Sequence, residues 1–133
     1  MKNAEQTFFA TKTVPPSRQV DFNGRWVNEL GSAMRIVVSA AATITGTYTS
    51  AVSETGLPTP EMQLSGTVAG DLICFTVNWG ESITTWVGHG VLDNGEARIL
   101  TLWQMVLAVP DEVKPGHQWK TVMAGADEFR PAP

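Results

Sequence analysis

The sequence predicts an all-β fold, in which a single domain forms an eight-stranded antiparallel up-and-down β-barrel. From residue 21 onward, short runs of β-branched and aromatic residues alternate with turn residues, and no apolar helical period exceeds about two turns. The chain has 133 residues, the length of one ordinary domain with a core of its own. Eight strands joined in sequence by short loops close most economically into a barrel, because closure leaves no open edge strand.

The two ends of the chain differ from the predicted barrel, which covers residues 21–130. Residues 1–20 are polar, with Lys, Thr, Ser and Gln and a proline pair, and they are predicted to be a flexible N-terminal arm. The alternative is a segment in which Phe8 and Phe9 attach to a partner subunit. Residues 131–133 form a short C-terminal tail.

The eight predicted strands each end at a cluster of turn residues. They cover residues 24–28, 33–40, 43–50, 63–68, 71–78, 83–89, 97–109 and 118–130. Ala69-Gly70 and Asn94-Gly95 are the clearest hairpin signals. The longest irregular stretch inside the domain, 53–60, holds two prolines and a glycine, so it is predicted to be a loop whose position suits a lid.

Composition argues against several classes of partner. The formal net charge of -4 and the lack of a Lys/Arg run disfavour nucleic acid and anionic membrane surfaces. No apolar stretch approaches the ~18 residues of a membrane span. The first residues do not resemble a secretory signal, because Lys12 and two prolines follow Phe8 and Phe9. The chain is then either cytoplasmic or a mature form of an exported protein. Cys74 is the single cysteine, so no internal disulfide is expected.

The predicted seventh strand departs from simple alternation, since the run 99–107 is apolar on both faces. The outer face of a monomeric barrel should be polar, so Leu100, Leu102 and Val106 require cover. A partner subunit is the simplest cover, and the small side chain of Ala126 on the last strand allows close approach.

Two strand-like runs place aromatic and polar residues on one face. Side chains alternate across a strand, so Thr84, Trp86 and Gly88 share a face, as do Gly125 and Asp127 in the last run. Aromatic walls with one carboxylate and a few hydroxyls suit a small ligand with a polar head. The tryptophans by themselves are also compatible with a plain barrel core.

Six motifs occur in order along the chain. They are Gly24–Ser32, Gly46–Val52, Phe75–Trp79, Ser82–Trp86, Thr101–Trp103, and Trp119-Lys120 followed by Gly125–Phe129. Together they resemble the avidins and streptavidins, over roughly residues 22–130. The resemblance implies a streptavidin-like eight-stranded barrel that binds biotin at one end without catalysis, usually as a secreted homotetramer. It implies biotin as a ligand and no cofactor.

The resemblance also implies which residues hold the ureido group of biotin. Asn28, Ser32 and Tyr48 match three donors to the ureido oxygen. Three donors around one carbonyl favour its charged resonance form. Ser50 and Asp127 match the acceptors for the two ureido N–H groups.

The remaining site positions follow from the same resemblance. Thr84 matches the hydroxyl that faces the ring sulfur, and Ser82 with backbone groups of the 50–54 segment, Val52 among them, matches the contact to the ligand carboxylate. The aromatic walls within one subunit match Trp79, Trp86 and Trp103. Trp119 matches the tryptophan that is lent to a neighbouring subunit's site, and its alternative is a place on the rim of its own barrel.

Some residues depart from the family pattern. Glu54 lies near a position that often donates to the ligand carboxylate, and an ionised glutamate cannot donate, so backbone N–H groups are expected to serve there. Because of Pro58 and Pro60, the length and stiffness of the lid are not carried over from the family. Leu102 and Ala126 replace polar residues common at subunit interfaces, so a dimer is kept as the alternative to the tetramer.

Other classes of function are less consistent with the residues. Ser82 and His89 are seven apart, which puts them on opposite faces of a regular strand and argues against a hydrolase triad. Two histidines and one cysteine that are not clustered make no metal site. A lipocalin-like carrier shares a glycine and a tryptophan on the first strand, but its cup is mostly apolar. Asp127 has a structural alternative, as an acid bonded to Asn28.

Overall fold

The structure is a computed structural model that describes residues 17–51, 59–113, 116 and 121–133. Eight β-strands account for most of this part of the chain. Their bounds are β1 Gly24–Asn28, β2 Ala33–Val38, β3 Thr43–Thr49, β4 Glu61–Ala69, β5 Leu72–Asn78, β6 Ser82–Asp93, β7 Glu96–Leu107 and β8 Val122–Pro131. A single turn of 3-10 helix spans Asp111–Val113 between β7 and β8.

The strands form a closed antiparallel barrel in sequence order, which confirms the predicted fold. Each strand pairs with the next, and β8 returns to β1 with Val27 opposite Arg130. The predicted Asn94-Gly95 hairpin joins β6 to β7, with φ values of 52° and 81° at these two residues. Positive φ at both positions matches the twist of the flanking strands.

Two predicted segments fall largely outside the described residues. The proposed lid over 53–60 is described only at Thr59 and Pro60. The last strand was predicted from residue 118 and begins at Val122, and residues 117–120 lie outside the described part of the chain.

Side chains alternate across the barrel wall with the period of two that extended strands impose. The inward positions form the core. Its largest members on the strands include Trp26, Met34, Ile36, Ile44, Leu64, Ile73, Phe75, Trp86, Ile99 and Phe129. The outward positions differ around the barrel, because β3 presents threonines whereas β6 and β7 present exposed apolar side chains such as Val87 and Leu102.

One end of the barrel is closed by the segment before β1. Val20, the last residue of the predicted arm, and Phe22 are each 1% exposed and pack into the core. The backbone N–H groups of Gln19 and Val20 donate to Asp71 Oδ1 at 2.8 and 2.9 Å. A Cβ at position 90 would lie 2.9 Å from Val20 Cβ, so Gly90 allows this close approach. We call residues 19–22 the closing segment.

In the described ranges, no helix has the length and apolar character needed to span a membrane.

Candidate functional site

The antiparallel topology gathers most of the predicted site residues at the end opposite the closing segment. In an up-and-down barrel, the ends of odd strands and the starts of even strands lie at the same end. The predicted residues at these strand ends and in the adjoining turns are Asn28, Ser32, Tyr48, Ser50, Trp79, Ser82 and Thr84. We call this the open end. Asp127 and Trp103 reach it from β8 and β7, where Trp103 lies opposite Gly125.

The turn between β1 and β2 orients the Asn28 side chain. Asn28 Oδ1 accepts hydrogen bonds from the backbone N–H groups of Leu30 and Ser32, at 3.0 and 2.9 Å. Because the amide oxygen is used for the turn, the NH2 group is the part of the side chain that is left to serve a ligand. Asn28 is buried, so its orientation is fixed before any ligand arrives.

Ser32 connects this turn to the end of β3. Its Oγ accepts a hydrogen bond from the backbone N–H of Ala51 at 3.0 Å. Its hydroxyl also forms a side-chain hydrogen bond with Tyr48. Ser32 and Tyr48 are each 4% exposed. Asn28, Ser32 and Tyr48 therefore form a connected polar cluster, which we call the donor cluster.

Tyr48 remains a neutral hydroxyl over the whole physiological range. Burial raises its pKa from 10.0 to about 12, the hydrogen bond with Ser32 opposes that rise, and the charges of Asp127 and Glu29 add to it. A neutral phenol donates a hydrogen bond, whereas a phenolate only accepts. The environment thus keeps Tyr48 in the form that a donor site needs.

The titration of Tyr48 gives a direct test of this arrangement, since it is the only tyrosine of the chain. We expect phenolate absorbance to rise near pH 12 in the native protein and near pH 10 in denaturant. Because the folded pKa is raised, the stabilisation is complete below pH 10 and is lost as the pH rises towards 12. A pKa rise of this size corresponds to about 3 kcal/mol of the free energy of unfolding. A native titration close to pH 10 would contradict a buried donor.

Asp127 of β8 is held by a tryptophan from β6, on the other side of the intervening strand β7. Trp86 Nε1 donates to Asp127 Oδ2 at 2.9 Å, and Trp86 is 3% exposed. Thr101 Oγ1 donates to the backbone carbonyl of Asp127 at 3.0 Å. The structure thus gives the Asp127 carboxylate a hydrogen bond from Trp86, whereas the structural alternative from the sequence was a bond with Asn28. A carboxylate accepts several hydrogen bonds, so this bond leaves capacity for a ligand N–H.

The aromatic side chains lie against the donor cluster. The ring of Tyr48 is 4.9 Å from that of Trp86 and meets Trp79 edge-on at 5.8 Å. Trp79 Nε1 donates to Thr84 Oγ1 at 2.9 Å. Thr84 therefore anchors Trp79, a role that its position on a strand face did not predict. A partly buried Trp indole needs an acceptor for its N–H. That need was the one indication in the sequence that Trp79 would have a hydroxyl partner.

Trp103 is seated on the backbone of β8. A Cβ at position 125 would lie 2.5 Å from Cζ2 of the Trp103 indole. Contacts that close do not occur between real atoms, so the absence of a side chain at Gly125 is what lets the indole lie there. The sequence grouped Gly125 with Asp127 on one face without giving it this role.

The structure describes part of the mouth of the site. Ser50 and Ser82 are half-buried there, and the Ser50 carbonyl accepts a hydrogen bond from Thr59 Oγ1. The backbone N–H of Trp79 donates to the Ser82 carbonyl at 2.8 Å. Val52 and Trp119 lie outside the described residues, as does Glu54.

In the described part of the chain, Ser82 and His89 are not placed for a hydrolase triad. Ser82 belongs to the inward set of β6, whereas His89 is exposed on the outer face opposite Leu72 and Leu100. Among the described residues, no group of three or more His, Cys, Asp or Glu side chains is arranged to hold a metal ion.

Comparison with known proteins identifies the family. The model of the Avidin family matches residues 16–132. The chain belongs to the avidin family. Avidin of Gallus gallus is 34% identical over 123 residues, which cover 85% of this chain and 79% of avidin. Membership of the avidin family makes this chain a non-catalytic protein and removes the hydrolase alternative.

Solved structures of avidin-like proteins share the barrel. Xenavidin has a TM-score of 0.76 at 30% identity, covering 86% of this chain and 100% of Xenavidin. The rhizavidin–biotin complex has a TM-score of 0.68 at 25% identity, covering 82% of this chain and 98% of rhizavidin. The avidin fold therefore extends over nearly the whole described chain.

Proposed function

We propose that this avidin-family chain binds biotin, as a ligand and not as a cofactor, at the open end of the barrel. The observation that carries the proposal is the donor cluster. Asn28, Ser32 and Tyr48 are buried, and each is oriented by backbone groups or by its neighbour. The ureido carbonyl of biotin can accept from the Asn28 NH2 group and from both hydroxyls, provided that the proton of the Ser32–Tyr48 hydrogen bond turns to the carbonyl when the ligand binds.

Asp127 supplies the complementary acceptor. The ureido group carries N–H donors beside its carbonyl, and a carboxylate accepts such a donor in a short, charge-assisted bond. Donation to the carbonyl and acceptance from the N–H polarise the ureido group in the same direction, so the two effects strengthen each other. Trp86 holds the carboxylate in place through its Nε1 at 2.9 Å. We assign Ser50 to the second N–H.

The rest of the ligand is assigned to the surrounding side chains. Thr84 is proposed to face the ring sulfur, and Ser82 with the backbone near Val52 to bind the carboxylate. The proposed aromatic walls are Trp79, Trp86 and Trp103, with Trp119 from a neighbouring copy. Aromatic walls exclude water, which strengthens the polar contacts inside them. The contacts of Tyr48 with two of these indoles, at 4.9 and 5.8 Å, support the assignment.

A titration with biotin tests the proposal. Tryptophan fluorescence should be quenched and heat released until one biotin is bound per chain, because indoles line the site. Lipoic acid is the matched control ligand, since it has a sulfur ring and the same acid chain but no ureido group. We expect it to bind far more weakly. Equal binding of both ligands would contradict ureido recognition, and no response to biotin at micromolar protein would overturn the function.

Assembly is the second part of the proposal. A groove of about 930 Å³ runs over the outer face of β6–β8 and β1, between the apolar Val87, Leu100 and Leu102 and the charged Glu128 and Arg130. Leu102 is 71% exposed. Apolar side chains rimmed by both signs of charge suit a two-fold contact between identical copies. We propose that copies of this chain associate through the face, as a tetramer with a dimer as the alternative.

The variant Leu102→Asp tests this interface. We expect light scattering to give a mass near four times 14.4 kDa for the native protein and a smaller assembly for the variant. Burying a carboxylate in an apolar contact between copies costs roughly several kcal/mol of binding free energy. Thr45→Asp, on the polar outer face of β3, is the control and should leave the mass unchanged. A native mass of one chain would contradict any oligomer.

Export from the cell is proposed from the family resemblance. Detection of the protein in the culture medium of its host, beside a cytosolic marker that stays inside, tests it.

A further inference from the structure

A chain of aromatic rings in contact runs from the donor cluster into the core. Trp86 contacts Tyr48 at 4.9 Å with an interplanar angle of 31° and Phe75 at 5.0 Å with an angle of 15°. Phe75 in turn meets Phe129 edge-on at 5.9 Å. Phe75 and Phe129 are 0% exposed, so this end of the chain of rings is completely buried.

Trp86 joins the two polar parts of the site. Its ring packs on Tyr48 of the donor cluster, and its Nε1 donates to the carboxylate of Asp127 at 2.9 Å. The angle of the indole therefore decides whether the N–H reaches Asp127. Rotation about the terminal torsion of an aromatic side chain has broad minima, so neighbouring atoms must select the angle. Phe75 is opposite Trp86 in the β5–β6 register and stacks almost parallel to it.

We propose that Phe75 is a positioning residue for the ligand site, acting through Trp86. The parallel stack sets the plane of the indole, the indole N–H then holds Asp127, and Asp127 is held ready to accept a ligand N–H. Phe75 belongs to the buried core and acts on the ligand through Trp86 and Asp127, a path that we call the relay. The assignment rests on the proposed biotin binding.

The variant Phe75→Leu tests the relay, because leucine keeps an apolar side chain without the flat ring. Ring pairs of this kind contribute enough for roughly a three- to tenfold change in the biotin dissociation rate. Phe22→Leu is the matched control, since Phe22 is 1% exposed and lies in the closing segment at the opposite end. It should lower the melting temperature while changing the dissociation rate by less than about twofold. Equal rates in the two variants would overturn the proposal.

A test in the Trp86→Phe variant separates positioning of the indole from general destabilisation of the protein. Trp86→Phe removes the indole N–H, so Phe75→Leu should add less than about twofold to the dissociation rate in that background, as expected for coupled residues. Full additivity of the two substitutions would contradict the relay.

The indole N–H of Trp86 provides a readout that does not require biotin. Its NMR resonance can be assigned as the one missing in Trp86→Phe. Hydrogen exchange at this N–H should be faster in Phe75→Leu than in the native protein and unchanged in Phe22→Leu. If biotin does not bind but this difference is seen, the proposed function fails and the positioning stands. If the exchange is the same in both variants, the positioning fails even though biotin binds.

Discussion

Asp127→Ala is expected to accelerate biotin release by about ten- to a hundredfold. Hydrogen bonds to a charged group contribute roughly 1.5–3 kcal/mol, and this range converts to that change in rate. Asp127 is the proposed acceptor from the ureido N–H, and its carboxylate is already oriented by Trp86 Nε1 at 2.9 Å. The measurement is the dissociation rate of labelled biotin chased with unlabelled biotin.

A control on another carboxylate separates this effect from a change in net charge. Asp93→Ala removes the same charge at the far end of β6, where the Asp93 side chain is 60% exposed beside Arg98. We expect no change in the release rate there. Asp127→Asn keeps an oxygen acceptor without the charge and should give an intermediate rate. An unchanged rate in Asp127→Ala would mean that the carboxylate serves only to bind Trp86.

Phe22→Ala is expected to lower the free energy of unfolding by about 3–5 kcal/mol, the range for truncating a buried phenylalanine. Phe22 is 1% exposed, and its carbonyl accepts a hydrogen bond from Trp26 Nε1 at 2.9 Å. Truncation leaves a cavity at the closed end of the barrel. Equilibrium unfolding in urea measures the effect.

The matched control is an exposed apolar residue. Val37→Ala removes side-chain volume on the outer face of β2, where Val37 is 53% exposed, and its effect should stay within about 1 kcal/mol. A loss in Phe22→Ala no larger than in Val37→Ala would mean that the closing segment contributes little to stability.

The barrel itself could be predicted because its signals are local. Alternation places Thr84, Trp86 and Asp127 inward and Leu102 outward, and the structure places them so. The Asn94-Gly95 turn was equally readable, since its positive φ values depend on these two residues alone. The closing segment was not predicted, because the alternation of Val20 and Phe22 with polar neighbours covers only two apolar positions, too few to identify a buried element. Their burial depends on Asp71 and Gly90, which are distant in sequence.

The sequence motifs named a set of candidate site residues but not the hydrogen bonds among them. The motifs brought Asn28, Ser32 and Tyr48 together, yet nothing in them assigns the Asn28 oxygen to the turn and leaves its NH2 group for a ligand. Thr84 was expected to face a ligand atom, and its Oγ1 accepts the indole N–H of Trp79. Donor and acceptor roles depend on which atoms meet, and short motifs do not contain that information.

The sequence by itself determined the antiparallel barrel and the inward and outward faces of its strands, because period-two alternation and turn chemistry act over a few residues, whereas the site residues of the open end were indicated only by the family resemblance. The tertiary structure decided the bond between Trp86 and Asp127, which are 41 residues apart, and the cap that Asp71 places on Val20 across 51 residues. Such contacts exist only once closure of the barrel brings distant strands into register. The packing of Phe75 on Trp86 belongs to the same class.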